Sequence, residues 1–325
     1  MDNFIFSINA TLPIFLTMVL GLVFRKIGVF DDAFTNRMNS FVFKFALPAL
    51  LFEDLWEENF YQAWNGGFVL FCFCATLGCI IVSTALSSFL KDKSDRGEFI
   101  QGSYRSSAAI LGIAFIVNIY GQSGMAPLMI IGTVPLYNIC AVAALTLTSP
   151  ALSSAKSDPA SETSVSSSDR LFRTIKGIIT NPIILGIAVG FAWSLLKLPH
   201  PTILQKTVHN LGVLATPLGL MAMGASFDIK KAFYKLKPSI ACAFLKLIGY
   251  SGVLMPVAIA LGYRNEALVA ILVMLGSATT VSSYTMAKSM GHEGTLSASV
   301  VMLTTLLSAF SLTAWLFILK TMSFI

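Results

Sequence analysis

The stretch MLGSATTVSSYTMAKSMGHEG, residues 274–294, decides how this chain is read. It overlaps the apolar run 266–288, which is long enough to lie across a bilayer. Yet Ser277, Thr279, Thr280, Ser282, Ser283 and Thr285 crowd around Gly276 in the middle of it. Hydroxyls at bilayer depth are tolerated where they satisfy loosened backbone, bond a neighbouring helix or face a water-filled cavity. Discontinuous helices of this kind hold the substrate in many secondary transporters. The stretch reads as one half of a transport site, and the rest of the chain should supply the other half.

Composition sets the class. Of 325 residues, 55% are hydrophobic and 12% charged, and mean hydropathy is +0.77. Soluble domains carry about 25% charged residues, so this is an integral membrane protein. No basic n-region precedes the apolar run 3–24, which is long enough to span, so no cleaved signal is expected. The five cysteines lie in apolar segments without metal-ligand spacing and read as small buried hydrophobes. No phosphate-cradling glycine loop, metal-spaced cluster or nucleophile–base motif is present. The expectation is a protein that is not an enzyme and carries no cofactor or metal.

Ten apolar spans are expected: 3–24, 38–56, 66–90, 98–120, 124–148, 172–196, 204–226, 237–262, 266–288 and 294–320. Residues 149–171 separate the fifth from the sixth, and their Ser-, Ala- and Pro-rich run has the composition of a flexible linker. Basic residues set the orientation. One set of loops holds fifteen Lys and Arg, the other set four (Lys197, Lys206, Arg264, Lys320), and three lie inside spans. The rich side is cytoplasmic, which puts both termini outside and the linker inside. The net charge of +6 is thus a matter of topology, not of nucleic acid.

Five spans fall on each side of the linker, and the halves match. Pro13 and Pro182, Gly21 and Gly190, and Pro48 and Pro217 are each 169 residues apart. LPIFLTMVLG (12–21) resembles NPIILGIAVG (181–190), and Glu98 and Glu266 keep nearly the same offset. Because five is odd, the second copy would enter from the opposite side. The fold expected is all-α, with ten transmembrane helices in two inverted five-helix repeats, residues 1–148 and 172–325.

The repeat locates the partner of the opening stretch. Span 98–120 also carries a hydroxyl cluster (Ser103, Ser106, Ser107) and a mid-span glycine, Gly112. If both spans are interrupted, their second halves begin near one another. Helix starts expose N–H groups and favour an anion.

At these residues the chain resembles the auxin efflux carrier family, which includes plant PIN-FORMED auxin exporters and bacterial permeases linked to malate or malonate. The resemblance is carried by SSYTMAKSMGHEGTLSASVVMLTTLLSAFSLTAWL (282–316), YRSSAAILGIAF (104–115), VPLYNI (134–139) and FALPALLF (45–52). It implies that helices four and nine cross as broken helices in a transport domain of helices 3–5 and 8–10. Helices 1, 2, 6 and 7 would form a scaffold that also dimerises, and transport would be elevator-like. The bile-acid sodium symporters share that fold. This sequence departs from the pattern at the crossing. Ala114 and Ala278 stand where prolines are usual, and Ser107 where asparagine is.

The expected function is secondary transport of a small organic anion across the plasma membrane. Ser106, Ser107, Gly112, Asn138, Thr279, Thr280, Ser282 and Ser283 are the expected substrate-binding residues, against the alternative of hydroxyl-to-backbone bonding inside helices. Lys44, Arg105 and Lys246 would attract the anion, unless they snorkel to the cytoplasmic surface. The alternatives are a sodium-coupled, bile-acid-like symporter and a non-transporting membrane sensor with the same fold.

Overall fold

In the computed structural model the described residues are 2–56, 65–108, 113–121, 124–149 and 179–325. Among them the chain is helical and has no strand. The expected linker falls almost wholly outside the described residues, as do Gly112, Glu57 and Glu58.

The first half contains α1 (Asp2–Lys26), α2 (Asp32–Phe41), α3 (Leu47–Trp56), α4 (Gly66–Ser87), α5 (Arg96–Tyr104), α6 (Ile113–Tyr120) and α7 (Ala126–Leu147). The second contains α8 (Pro182–Leu195), α9 (Thr202–Gly212), α10 (Ala215–Ser226), α11 (Ile229–Tyr234), α12 (Leu236–Phe244), α13 (Tyr250–Ala260), α14 (Asn265–Gly276), α15 (Ser282–Ser289) and α16 (Thr295–Thr321). Short side-chain acceptors fix several starts. The Asp31 carboxylate accepts the Phe34 N–H at 2.6 Å, so the second helix begins earlier than its apolar run. Asn65 accepts from Phe68 at 3.0 Å. Asn181, just before Pro182, accepts from Ile183 at 2.9 Å.

Among the described residues five helical stretches are long and apolar enough to cross a membrane: 66–87, 126–147, 202–225, 236–260 and 295–321. Shorter apolar helices run over 182–195 and 265–276. Among the described residues two long helices contain five-residue π turns. Val42–Ala46 joins α2 to α3, and Leu245–Gly249 joins α12 to α13. Each turn holds a lysine, Lys44 and Lys246 respectively. A π turn adds a residue and rotates the helix beyond it, and such turns recur at functional sites.

α14 is the centre of the fold. Residues 268–275 are 0–3% exposed without interruption, as a helix apolar on every side requires. α7, α13 and α16 pack around it. At the flanks, α1 packs on α10 and α3 on α8, and both contacts rest on glycine. A side chain at Gly21 would run into the carbonyl of Met221, and a Cβ at Gly190 would stand 2.7 Å from the carbonyl oxygen of Phe52. Close backbone approach at small residues is the usual means of joining membrane helices. These two contacts are exchanged by the 169-residue offset, since Gly21 and Gly190, and Phe52 and Met221, each differ by that number.

Candidate functional site at the helix crossing

Both expected interruptions are present. α5 stops at Tyr104, and Arg105 is extended at φ −71°, ψ 134°. α14 stops at Gly276, where Ser277 is extended at φ −76°, ψ 165°, and the chain re-enters a helix only at Ser282. No proline forces either break. Each is held by the other. The Ser107 N–H donates to the Ala278 carbonyl at 2.9 Å. The Thr279 hydroxyl donates to the Gly102 carbonyl at 2.8 Å, and the Ser106 hydroxyl to the Met274 carbonyl. Gln101 Nε2 donates to the Ser283 carbonyl at 2.8 Å, and Thr304 Oγ1 accepts the Thr279 N–H at 3.0 Å. Backbone groups freed by interruption thus find partners inside the protein, as they must away from water.

A cavity of about 80 Å³ opens beside the crossing. At roughly 10–15 Å³ per water on this measure, it has room for several waters or a small ligand. Its polar lining includes Arg105, Ser106, Ser107, Asn138, Thr280 and Ser282, all of which were expected site residues. α3 contributes the apolar side chains of Leu47, Leu50 and Leu51 to the lining.

Arg105 dominates the chemistry. It is 2% exposed. One terminal nitrogen donates to Asn138 Oδ1 at 2.8 Å and to Ser282 Oγ at 2.7 Å. The other reaches Gln101 Oε1 at 3.2 Å and the Met286 sulfur at 2.8 Å. All four partners are neutral, and Nε has none among the described residues. Asn138 is held in turn by donating from Nδ2 to the Val134 carbonyl at 2.9 Å, one turn back in α7. α15 starts at Ser282, so the positive end of a half-helix adds to the guanidinium.

The other expected residues lie elsewhere. Thr279 is buried in the crossing and bonds backbone, not the cavity. Ser283 is fully buried and does not line the cavity. Lys44 is exposed on its π turn, in keeping with snorkelling. Lys246 does not snorkel. It is 1% exposed and its Nζ meets the crossing from the side of α12 and α13.

Sequence reasoning missed several contributors. Asp54 lines the cavity and has an interaction of its own. The expected span 38–56 takes in Asp54, but nothing in its apolar pattern shows that α3 brings this carboxylate to the cavity. Thr216 also faces the cavity, beside Thr285, one of the hydroxyls of the opening stretch, and Tyr137, whose hydroxyl donates to the Met274 carbonyl at 3.1 Å. Gln101 links Arg105 to Ser283 across the break, and nothing in its spacing announces that.

A family profile described as membrane transport protein matches residues 6–316. The chain belongs to the membrane transport protein family. That family includes auxin efflux carriers and PIN-like permeases. It is a family of transporters, not of enzymes, and the apolar helices make this member a multi-pass membrane protein. No curated protein matches the chain closely enough to name a relative.

Proposed function

We propose that this membrane transporter is a secondary carrier of a small organic anion, a carboxylate such as malate, malonate or an auxin-like acid. The observation that carries this reading is Arg105, a buried guanidinium whose hydrogen-bond partners among the described residues are all neutral, at a cavity that Asp54 also lines. All four terminal N–H groups already donate within the protein, so a carboxylate pairs bidentately with the guanidinium by taking the place of Asn138 and Ser282, and the start of α15 and the hydroxyls of Ser107, Thr280 and Ser282 add donors. The small cavity favours the short carboxylates over an indole acid.

The carrier moves this site by elevator-type alternating access. Its architecture is two inverted five-helix repeats, residues 1–148 and 172–325, joined by the cytoplasmic linker 149–171. The exchanged glycine contacts at Gly21 and Gly190 support that repeat. Helices 1, 2, 6 and 7 serve as scaffold and homodimer interface, by family resemblance, and helices 3–5 and 8–10 as the moving part. The protein resides in the plasma membrane with both termini extracytoplasmic, as the basic loops support.

The test is flux into liposomes of purified protein with labelled malate, malonate and an indole carboxylate. Saturable uptake of one of them is expected. Arg105→Ala abolishes it, and Arg105→Lys, which keeps the charge but loses the fork, retains only a small part. Equal flux in wild type and Arg105→Ala would remove the site.

A further inference from the structure

Among the described residues Lys246 is the most deeply buried lysine, and it does not line the cavity. Its side chain leaves the π turn Leu245–Gly249 and its Nζ meets four oxygens. It donates to the Leu275 carbonyl at 2.8 Å, the Tyr104 carbonyl at 3.3 Å and the Met274 carbonyl at 3.4 Å. The fourth is the hydroxyl oxygen of Ser106. Because Ser106 gives its own proton to the Met274 carbonyl, it offers Lys246 a lone pair. Every group at Nζ is therefore an acceptor, which fits an ammonium with three N–H donors and no lone pair.

The oxygens have a second property in common. Tyr104 is the last residue of α5, and Met274 and Leu275 lie in the last turn of α14. Nζ sits where the negative ends of two half-helices converge. Among the described residues no carboxylate is a partner, so the positive charge is balanced by helix ends and carbonyls. Neutral oxygens from interrupted helices are the donor set with which secondary transporters hold sodium ions or protons. Hard oxygen donors are what a small metal cation requires.

We infer that Lys246 is a tethered cation, filling from the protein's own chain the place at the crossing that a coupling monovalent cation would otherwise occupy. The extra residue of the π turn turns this lysine inward to reach that place. The crossing is assembled without an added metal ion, and the carrier is independent of sodium. The inference rests on the crossing geometry and deepens the transporter reading by removing a sodium-coupled cycle. It does not depend on which anion is carried.

The test reads thermal stability of purified protein without substrate, so its failure is separable from failure of the transport assay. Wild type, Lys246→Ala and Lys246→Ser are melted in sodium chloride, methylammonium chloride and choline chloride at matched ionic strength. Wild type should melt at one temperature in all three. The alanine variant should melt lower in choline and recover saturably with methylammonium, which replaces the lost ammonium. The serine variant, with an added oxygen, should recover with sodium. Saturable stabilisation of wild type by sodium would overturn the inference, and that comparison decides alone if a variant does not fold. A folded variant indifferent to the cation would overturn it as well.

Discussion

Ser107 and Ala278 join the two interrupted helices directly, the N–H of one donating to the carbonyl of the other at 2.9 Å. Neither position carries the residue usual in the family's pattern, and the crossing forms nonetheless. Among the described residues the Ala278 N–H donates to nothing, and Ser277 before it is extended, the conformation that a following proline imposes. Ala278→Pro is therefore expected to fold and to melt at the same temperature or higher, with a gain of about 0.4–1 kcal/mol from the stiffer unfolded chain. A clear drop in melting temperature would mean that the alanine is required.

The crossing shows how far the sequence could be read. The hydroxyl clusters and mid-span glycine flagged the ninth helix, and the 169-residue offset led to the fourth. Ser106, Ser107, Thr280 and Ser282 came from that pairing. The sequence could not separate Thr279 from Thr280, because which hydroxyl faces the cavity depends on a few degrees of non-helical backbone. Nor could it tell Lys44 from Lys246. Both sit near helix ends in apolar surroundings, but one is exposed and the other is buried against four oxygens. The difference comes from tertiary packing around the π turns, which no local pattern encodes. Asp54 was hidden for a similar reason, since span 38–56 includes it but only the packing of α3 brings it to the cavity.

The glycines at the flanks give a sharper expectation. Gly21→Ala would press a methyl group into the Met221 carbonyl, and Gly190→Ala would bring one to 2.7 Å from the Phe52 carbonyl. Backbone cannot yield as a side-chain tip does, so each should cost roughly 1–3 kcal/mol. Gly252 has open space where its Cβ would be, so Gly252→Ala should be neutral or mildly stabilising in its helix. Melting temperatures of the three variants check this. A harmless Gly21→Ala would deny the close approach of α1 to α10.

Asn138 separates charge from shape at the cavity. Its Oδ1 accepts from Arg105 at 2.8 Å. Asn138→Asp keeps the size and the contact but neutralises the guanidinium, so an anionic ligand loses its counter-charge. Asn138→Ala removes the contact and leaves Arg105 free to pair. Anion affinity measured by titration should fall at least about tenfold in the aspartate variant, or about 1.4 kcal/mol, and less in the alanine variant. The reverse order would mean that Asn138 serves only to position α7.

Outside the spans, Lys235 ties the loop before α5 to the start of α12, with Nζ 2.8 Å from Asp92 and 2.7 Å from Asp95. The hydrogen bond from Lys235, first among its contacts, holds the half-exposed Asp92 down to about 2. Asp95 is buried, and burial raises its carboxyl above the ordinary 3.8 despite the same lysine. A lowered acid contributes its full stability above its ordinary value of 3.8 and loses it progressively as pH falls from there through about 2. A raised acid costs stability at neutral pH, and the cost fades as pH falls through its raised value. Lys235→Met strands Asp95 without its cation, so at pH 7 it should lower stability by about 2 kcal/mol, less than a fully buried pair would. As pH falls toward the raised Asp95 value, that carboxyl takes up a proton and the gap from wild type should narrow. Adding Asp95→Asn should close much of the gap already at pH 7. Melting curves across that pH range decide it, and a gap that widened on acidification would show that Asp95 is not the group left unpaired.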